Sequence, residues 1–196
     1  AKIWTGYAPG LRTILSRIIP RVDLIHIHEL WHYPHWLAYS FAQQHGIPYI
    51  VTPHGELAAW RLRYKWWKKV PYLALVQRRI LRQAAGIHAI TAMEEQDIRR
   101  YVGDAFIQII PNGVDPRQFG PRTGERPLER RYPQLRGRKV ILFLGRLHKV
   151  KGVDLLAQAF SVVAGHRDDV VLVVAGPDEG AQGDCEDILR RAGVRD

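Results

Sequence analysis

The chain has 196 residues, 46% of them hydrophobic and 24% charged, a globular balance that excludes a disordered tail, a collagen-like repeat and a low-complexity segment. Its 29 Lys and Arg against 19 Asp and Glu leave a net charge of +10, which calls for an anionic partner: phosphate, nucleic acid or acidic lipid. One cysteine, Cys185, excludes an internal disulfide framework and a multi-cysteine metal site, and fits a reducing, cytoplasmic compartment. No apolar run approaches the roughly 20 residues of a spanning helix. The start, Ala1-Lys2-Ile3-Trp4, has neither an initiator methionine nor a signal-peptide core, so the chain is expected to be a piece of a longer protein.

In chain order, a helix-like stretch over 11–19 closes at Pro20, and a β-branched run over 22–28 predicts a buried strand. Pro34 marks a first helical turn, and Gly46 and Pro48 stop that helix. A strand over 49–52, a long helical region over 57–85 interrupted near Pro71, and a strand over 86–91 follow. A helix over 92–101 leads to a strand over 107–110, turned by Pro111, Asn112 and Gly113, where positive φ is expected. Continuous apolar strands separated by helices predict a Rossmann-like parallel α/β sheet covered on both faces, over residues 1–120. Residues 121–138 read as a linker rich in Pro, Gly and Arg. Residues 139–196 begin a second unit: a strand over 140–144, a helix over 153–164, a strand over 170–174 and a helix around 186–191. Two strands do not close a core, so this second unit is expected to be truncated.

The sharpest local signal is Leu144-Gly145-Arg146-Leu147-His148-Lys149-Val150-Lys151-Gly152, between a strand and its helix. Such a turn aims backbone N–H groups and the positive helix end at the carboxyl edge of the sheet. A guanidinium at 146 and an ammonium at 151 suit a diphosphate. The plain alternative is a solvated basic loop; neither a Walker lysine nor G-x-G-x-x-G is present.

Gly145-Arg146 followed by Lys151-Gly152, behind Ile110-Pro111-Asn112-Gly113-Val114-Asp115, resembles the retaining family-4 glycosyltransferases of GT-B fold. The strand around His26-Ile27-His28, the turn Thr52-Pro53-His54-Gly55-Glu56-Leu57 and the strand end Ala175-Gly176-Pro177 extend the resemblance over nearly the whole chain in the right order. The resemblance implies two Rossmann-like domains, an acceptor-side one first and a nucleotide-sugar-binding one second. It also implies transfer from a nucleoside-diphosphate sugar to a saccharide or lipid-linked acceptor with retention. Arg146 and Lys151, with Gly145 and Gly152, would then hold the donor diphosphate, Asn112 would line the domain-crossing hinge, and His54 would match the family's catalytic cleft histidine. No metal or further cofactor is implied, because the cations and the helix N-terminus offset the phosphate charge. The family's opening glycine-rich strand and its Glu-x₇-Glu region are not matched, so this chain alone is expected to be inactive.

Two other patterns compete for attention. His28-Glu29-Leu30-Trp31-His32 is a literal H-E-x-x-H, the helical signature of a zinc hydrolase. Pro34 starts the helix after His32, which argues against it, and strand alternation instead puts His26 and His28 on one face in a hydrogen-bonded structural role. Residues 60–82 interleave Trp60, Tyr64, Trp66, Trp67 and Tyr72 with Arg and Lys. That composition suits an anionic membrane surface reached peripherally from the cytoplasmic side, or a basic helix packed on its own domain. It would also serve a nucleic-acid binding module, but no recognisable nucleic-acid motif accompanies it and none is expected. The acidic residues Asp178, Glu179, Asp184, Glu186 and Asp187 read as helix N-terminal charges, and Cys185 as incidental.

Overall fold

The computed structural model describes residues 6–119 and 127–194. The chain divides into two compact units, Ala1–Pro116 and Arg117–Asp196. The architecture is α/β with parallel sheets, the Rossmann-like arrangement the sequence predicts.

In the first unit, β1 (Ile25–His28), β2 (Tyr49–Thr52), β3 (Gly86–Ala89) and β4 (Ile107–Ile109) form one parallel sheet in the order β1-β2-β3-β4. Parallel neighbours need crossovers, and helices supply them. After α1 (Leu11–Ile18), α2 (Tyr33–His45) joins β1 to β2. The chain from β2 to β3 runs through α3 (Ala59–Arg63), α4 (Trp66–Tyr72) and α5 (Arg78–Arg82), and α6 (Ala92–Val102) leads to β4. The punctuation works as chemistry predicts: a proline opens α2, and Gly46 closes it at φ 65°.

The register aligns Ile27 with Val51, Val51 with Ile87 and Ile87 with Ile107, so these side chains share one sheet face. Ile27, Val51 and Ile87 are buried there with Leu30, Tyr49, Leu57, Ile80, Leu81 and Ile98. The opposite face carries polar side chains toward its carboxyl edge. Period-two alternation turns His26, His28, Thr52 and His88 to the other side, and His26 and His28 are exposed.

The stretch between β2 and β3 also departs from expectation. Its break falls at Tyr64–Lys65, where Lys65 takes φ 55°, not at Pro71, which lies inside α4. Proline removes the bond its own N–H would make and crowds the carbonyl four residues back, and the helix continues past it as a π-helical segment, Leu73–Gln77.

In the second unit, β5 (Lys139–Leu144) and β6 (Val170–Ala175) pair in parallel from Lys139↔Val170 to Leu144↔Ala175. Of the expected linker, residues 121–126 lie outside the described residues. The remainder forms α7 (Pro127–Arg131) and a 3₁₀ turn, Pro133–Leu135. α8 (Val153–Ala164) and α9 (Gln182–Arg191) pack through Val153, Ala157 and Cys185 against Phe143, Val174, Ile188 and Leu189. Cys185 is therefore a core residue rather than an incidental one, and burial pushes its thiol pKa up. Among the described residues no helix is long and apolar enough to cross a membrane.

Candidate functional site

At the carboxyl end of β2, His54 and Gly55 take φ 54° and 72°, the φ signs of a type I′ turn, which Glu56 closes by donating its N–H to the Pro53 carbonyl at 3.3 Å. Two carboxylates fasten this turn. Glu94, buried at the start of α6, accepts the N–H of Gly55 at 2.6 Å and that of Ile90 at 2.8 Å. Glu56 accepts the N–H of Leu30 at 2.9 Å, and its pKa is raised because burial outweighs that bond and nearby Arg61.

The imidazole of His54 leans on the histidine face. Its Nε2 lies 2.9 Å from His28 Nδ1, with the rings stacked. Alongside runs a second chain of bonds: His26 Nε2 to Thr52 Oγ1 at 2.7 Å, Thr52 Oγ1 to His88 Nδ1 at 3.0 Å, and His88 Nε2 to the Ile110 carbonyl at 2.7 Å. The carbonyl only accepts, so His88 Nε2 carries a proton. With His88 neutral, the Thr52 hydroxyl then donates to His88 Nδ1 and receives the N–H of His26 Nε2. Loss of water around the ring, then neighbouring His28, His88 and His54, lower the pKa of His26. His35, in α2, is lowered further, to about 4, by burial and then His32, and its buried Nδ1 has no hydrogen-bond partner.

At the carboxyl edge of the second sheet, the ends of β5 and β6 are laced by backbone bonds from Gly145 to Ala175 and from Leu147 to Pro177. The approach is so close that a Cβ on Gly176 (φ 151°) would overlap the Gly145 carbonyl. His148 Nδ1 accepts the Val150 N–H at 3.1 Å and caps the 3₁₀ turn Lys149–Lys151, and Gly152, at φ 66°, delivers the chain into α8. Arg146 does not stand open: its Nη1 donates to both oxygens of Glu179, at 3.0 and 2.7 Å. Lys151 is exposed and, among the described residues, has no carboxylate in ion-pair range. Asp178 accepts three backbone N–H groups at the start of α9, from Gly180, Ala181 and Gln182, which hold its carboxyl below the usual range. That is the helix-terminal role expected of it.

The disfavoured zinc alternative fails as argued, and one expectation falls. His28 ends a strand, Glu29 and Trp31 take φ 68° and 69°, and helix α2 starts only at Tyr33, so the H-E-x-x-H run lacks the helical face a zinc hydrolase needs. Among the described residues, no group of three or more His, Cys, Asp or Glu is arranged to hold a metal ion. Asn112 is exposed, and residues 110–115 run without a turn; neither Asn112 nor Gly113 takes positive φ. Sequence reading missed Thr52, His88 and Glu94, and it took Glu179, the partner of Arg146, for a helix N-terminal charge. Only Glu94 had a local signal, the capping-box spacing Thr91-x-x-Glu94, and the Thr91 hydroxyl does accept the Glu94 N–H at 3.1 Å.

A parallel sheet edge with a cationic turn and helices behind it is shared by many nucleotide-binding folds, and comparison narrows the class. Residues 4–113 match the glycosyl transferase 4-like domain, and residues 126–192 match glycosyl transferases group 1. The chain belongs to the glycosyl transferase 4-like family. It is 27% identical to a D-inositol 3-phosphate glycosyltransferase of Streptomyces scabiei over 89% of this chain and 38% of that protein. It is 26% identical to spore coat protein SA of Bacillus subtilis, over 80% of this chain and 40% of that protein. The chain thus spans about two fifths of these relatives' length. Among solved structures, Anabaena HepE in complex with UDP superimposes with a TM-score of 0.76 at 16% identity, covering 95% of this chain and 50% of that one. A UDP-forming trehalose-phosphate synthase of Burkholderia xenovorans gives 0.62 at 18% identity, over 93% and 46%.

Proposed function

We propose that the protein transfers a sugar, with retention, from a nucleoside-diphosphate sugar to a saccharide that is free, polymeric or lipid-linked, on the cytoplasmic side and peripheral to the membrane. The observation that carries this reading is the turn Gly145–Gly152 at the carboxyl edge of β5, with Arg146 and Lys151 on it and the N-terminus of α8 behind. Ligands of open parallel sheets collect at that edge. Arg146 would exchange Glu179 for donor phosphate, Lys151 would add a second charge, and Gly145 and Gly152 let the backbone turn beside the anion. These groups offset the diphosphate charge without a metal. In the first unit, His54 would stabilise the charge of the departing phosphate or hydrogen-bond to it. Relatives named for sugar transfer and a structural neighbour holding UDP support the donor class.

Calorimetric titration with nucleoside diphosphates tests this reading. Arg146→Ala and Lys151→Ala should each weaken binding by about 1.5–3 kcal/mol, the range for hydrogen bonds to charged groups. Unchanged affinity in both variants rejects the phosphate role.

A further inference from the structure

Helix α4 turns large apolar side chains to solvent. Trp66, Trp67 and Val70 are exposed by 63%, 60% and 47%. Trp66 and Val70 stand four residues apart and Trp67 and Val70 three, so the three share a face. The residues turned inward are Tyr72, whose ring lies 6.0 Å from that of Trp31, and a cation, Lys69. Lys69 Nζ donates to the Arg61 carbonyl at 3.0 Å and lies 5.4 Å from the centre of the Trp31 ring, and burial lowers its pKa. On α3 and the corner after it, Trp60 and Tyr64 are exposed by 54% and 65%. Each of three exposed rings carries a cation: Lys68 Nζ 4.6 Å from the Trp67 centroid, Lys65 Nζ 4.9 Å from Tyr64, and Arg61 Cζ 5.5 Å from Trp60. No acidic residue occurs from 57 to 84.

We infer that α3 and α4 dock on an anionic lipid bilayer, with Trp60, Tyr64, Trp66, Trp67 and Val70 entering the headgroup layer and Arg61, Arg63, Lys65 and Lys68 meeting the lipid anions. Ring-plus-ammonium pairs match an interface in which apolar bodies lie among headgroups and charged tips reach phosphate. Nucleic acid fits less well, because a phosphate backbone satisfies the cations but offers nothing to Val70, and a cation already covers one face of three of the rings. The inference deepens the peripheral placement proposed above and rests on it. Its test contains no sugar nucleotide, so it stands or falls apart from the donor reading.

The chain is floated with vesicles of phosphatidylcholine and phosphatidylserine, with phosphatidylcholine vesicles as control. It should float with the anionic vesicles only, show blue-shifted tryptophan emission there, and be released by raised salt. The variant Trp66→Ser/Trp67→Ser should lose about tenfold or more in apparent affinity, and Lys65→Gln/Lys68→Gln about tenfold. Circular dichroism should stay unchanged in both, since all four side chains are exposed. No flotation on anionic vesicles, or flotation that the tryptophan variant leaves intact, overturns the inference. So does binding of single-stranded oligonucleotide that anionic vesicles fail to displace.

Discussion

At the carboxyl edge of the first sheet, the polar groups are bound into the fold. Thr52 is fully buried between two imidazoles, and Glu94, 4% exposed, holds two backbone N–H groups. At the corresponding edge of the second sheet, the Arg146 and Glu179 side chains are 59% and 38% exposed and held by each other. The difference is one of exchangeability. Breaking a buried network leaves groups unpaired at about 1–3 kcal/mol each, whereas an exposed ion pair contributes only about 0.2–1 kcal/mol. The first edge is a fixed surface, and the second can trade a carboxylate for another anion.

The largest effect should come from the rigid part of the second edge. Gly176→Ala places a methyl group on the Gly145 carbonyl, and we expect a loss of about 3 kcal/mol in the stability of the second unit. All six tryptophans lie at or before Trp67. Urea unfolding followed by circular dichroism should therefore show the loss, while tryptophan emission, reporting the first unit, stays in place. Equal unfolding by both probes would mean that the units are not energetically separate.

Acid should reverse the pattern. His35 titrates in the folded chain at about 4 against an ordinary 6.5, so as pH falls the unfolded chain binds the proton first. Its stabilisation is complete above about pH 6.5 and is lost between there and about pH 4. His26, also lowered, acts in the same direction. In the second unit, Asp169 and Asp178 are held below the usual carboxylate range, so their contribution survives that window. The urea midpoint read by tryptophan emission should fall across it; a flat profile would show that the imidazoles are not strained by burial.

The smallest effect is the most specific to the exchange. Glu179→Gln removes Arg146's competitor and should tighten nucleoside-diphosphate binding by about 0.2–1 kcal/mol in a calorimetric titration. Weaker binding would instead make Glu179 the residue that orients Arg146.

The two sheets were legible in the sequence where local rules suffice. β2 and α8 emerge with the residues expected of them, because Pro48 and Pro53 bracket the one and Gly152 and Gly165 the other. The corner at Lys65 was hidden, since a lysine at positive φ carries no sequence mark. The partners of His26 and His88 were hidden for a different reason. Thr52 meets them only because β2 lies between β1 and β3, and strand order is not written in periodicity. Glu179 lies 33 residues from Arg146 and reaches it only through the pairing of β5 with β6.

The corner after β2 has one more implication. Left-handed backbone favours glycine, because a Cβ there crowds a neighbouring carbonyl, and tolerates asparagine, whose amide offsets the cost with a local hydrogen bond. At 54 the chain nevertheless seats a five-membered ring, with a glycine directly after it that bends the same way. Swapping in glycine there would ease the bend and delete the ring, so whatever that imidazole contributes to the molecule, it is not the molecule's shape.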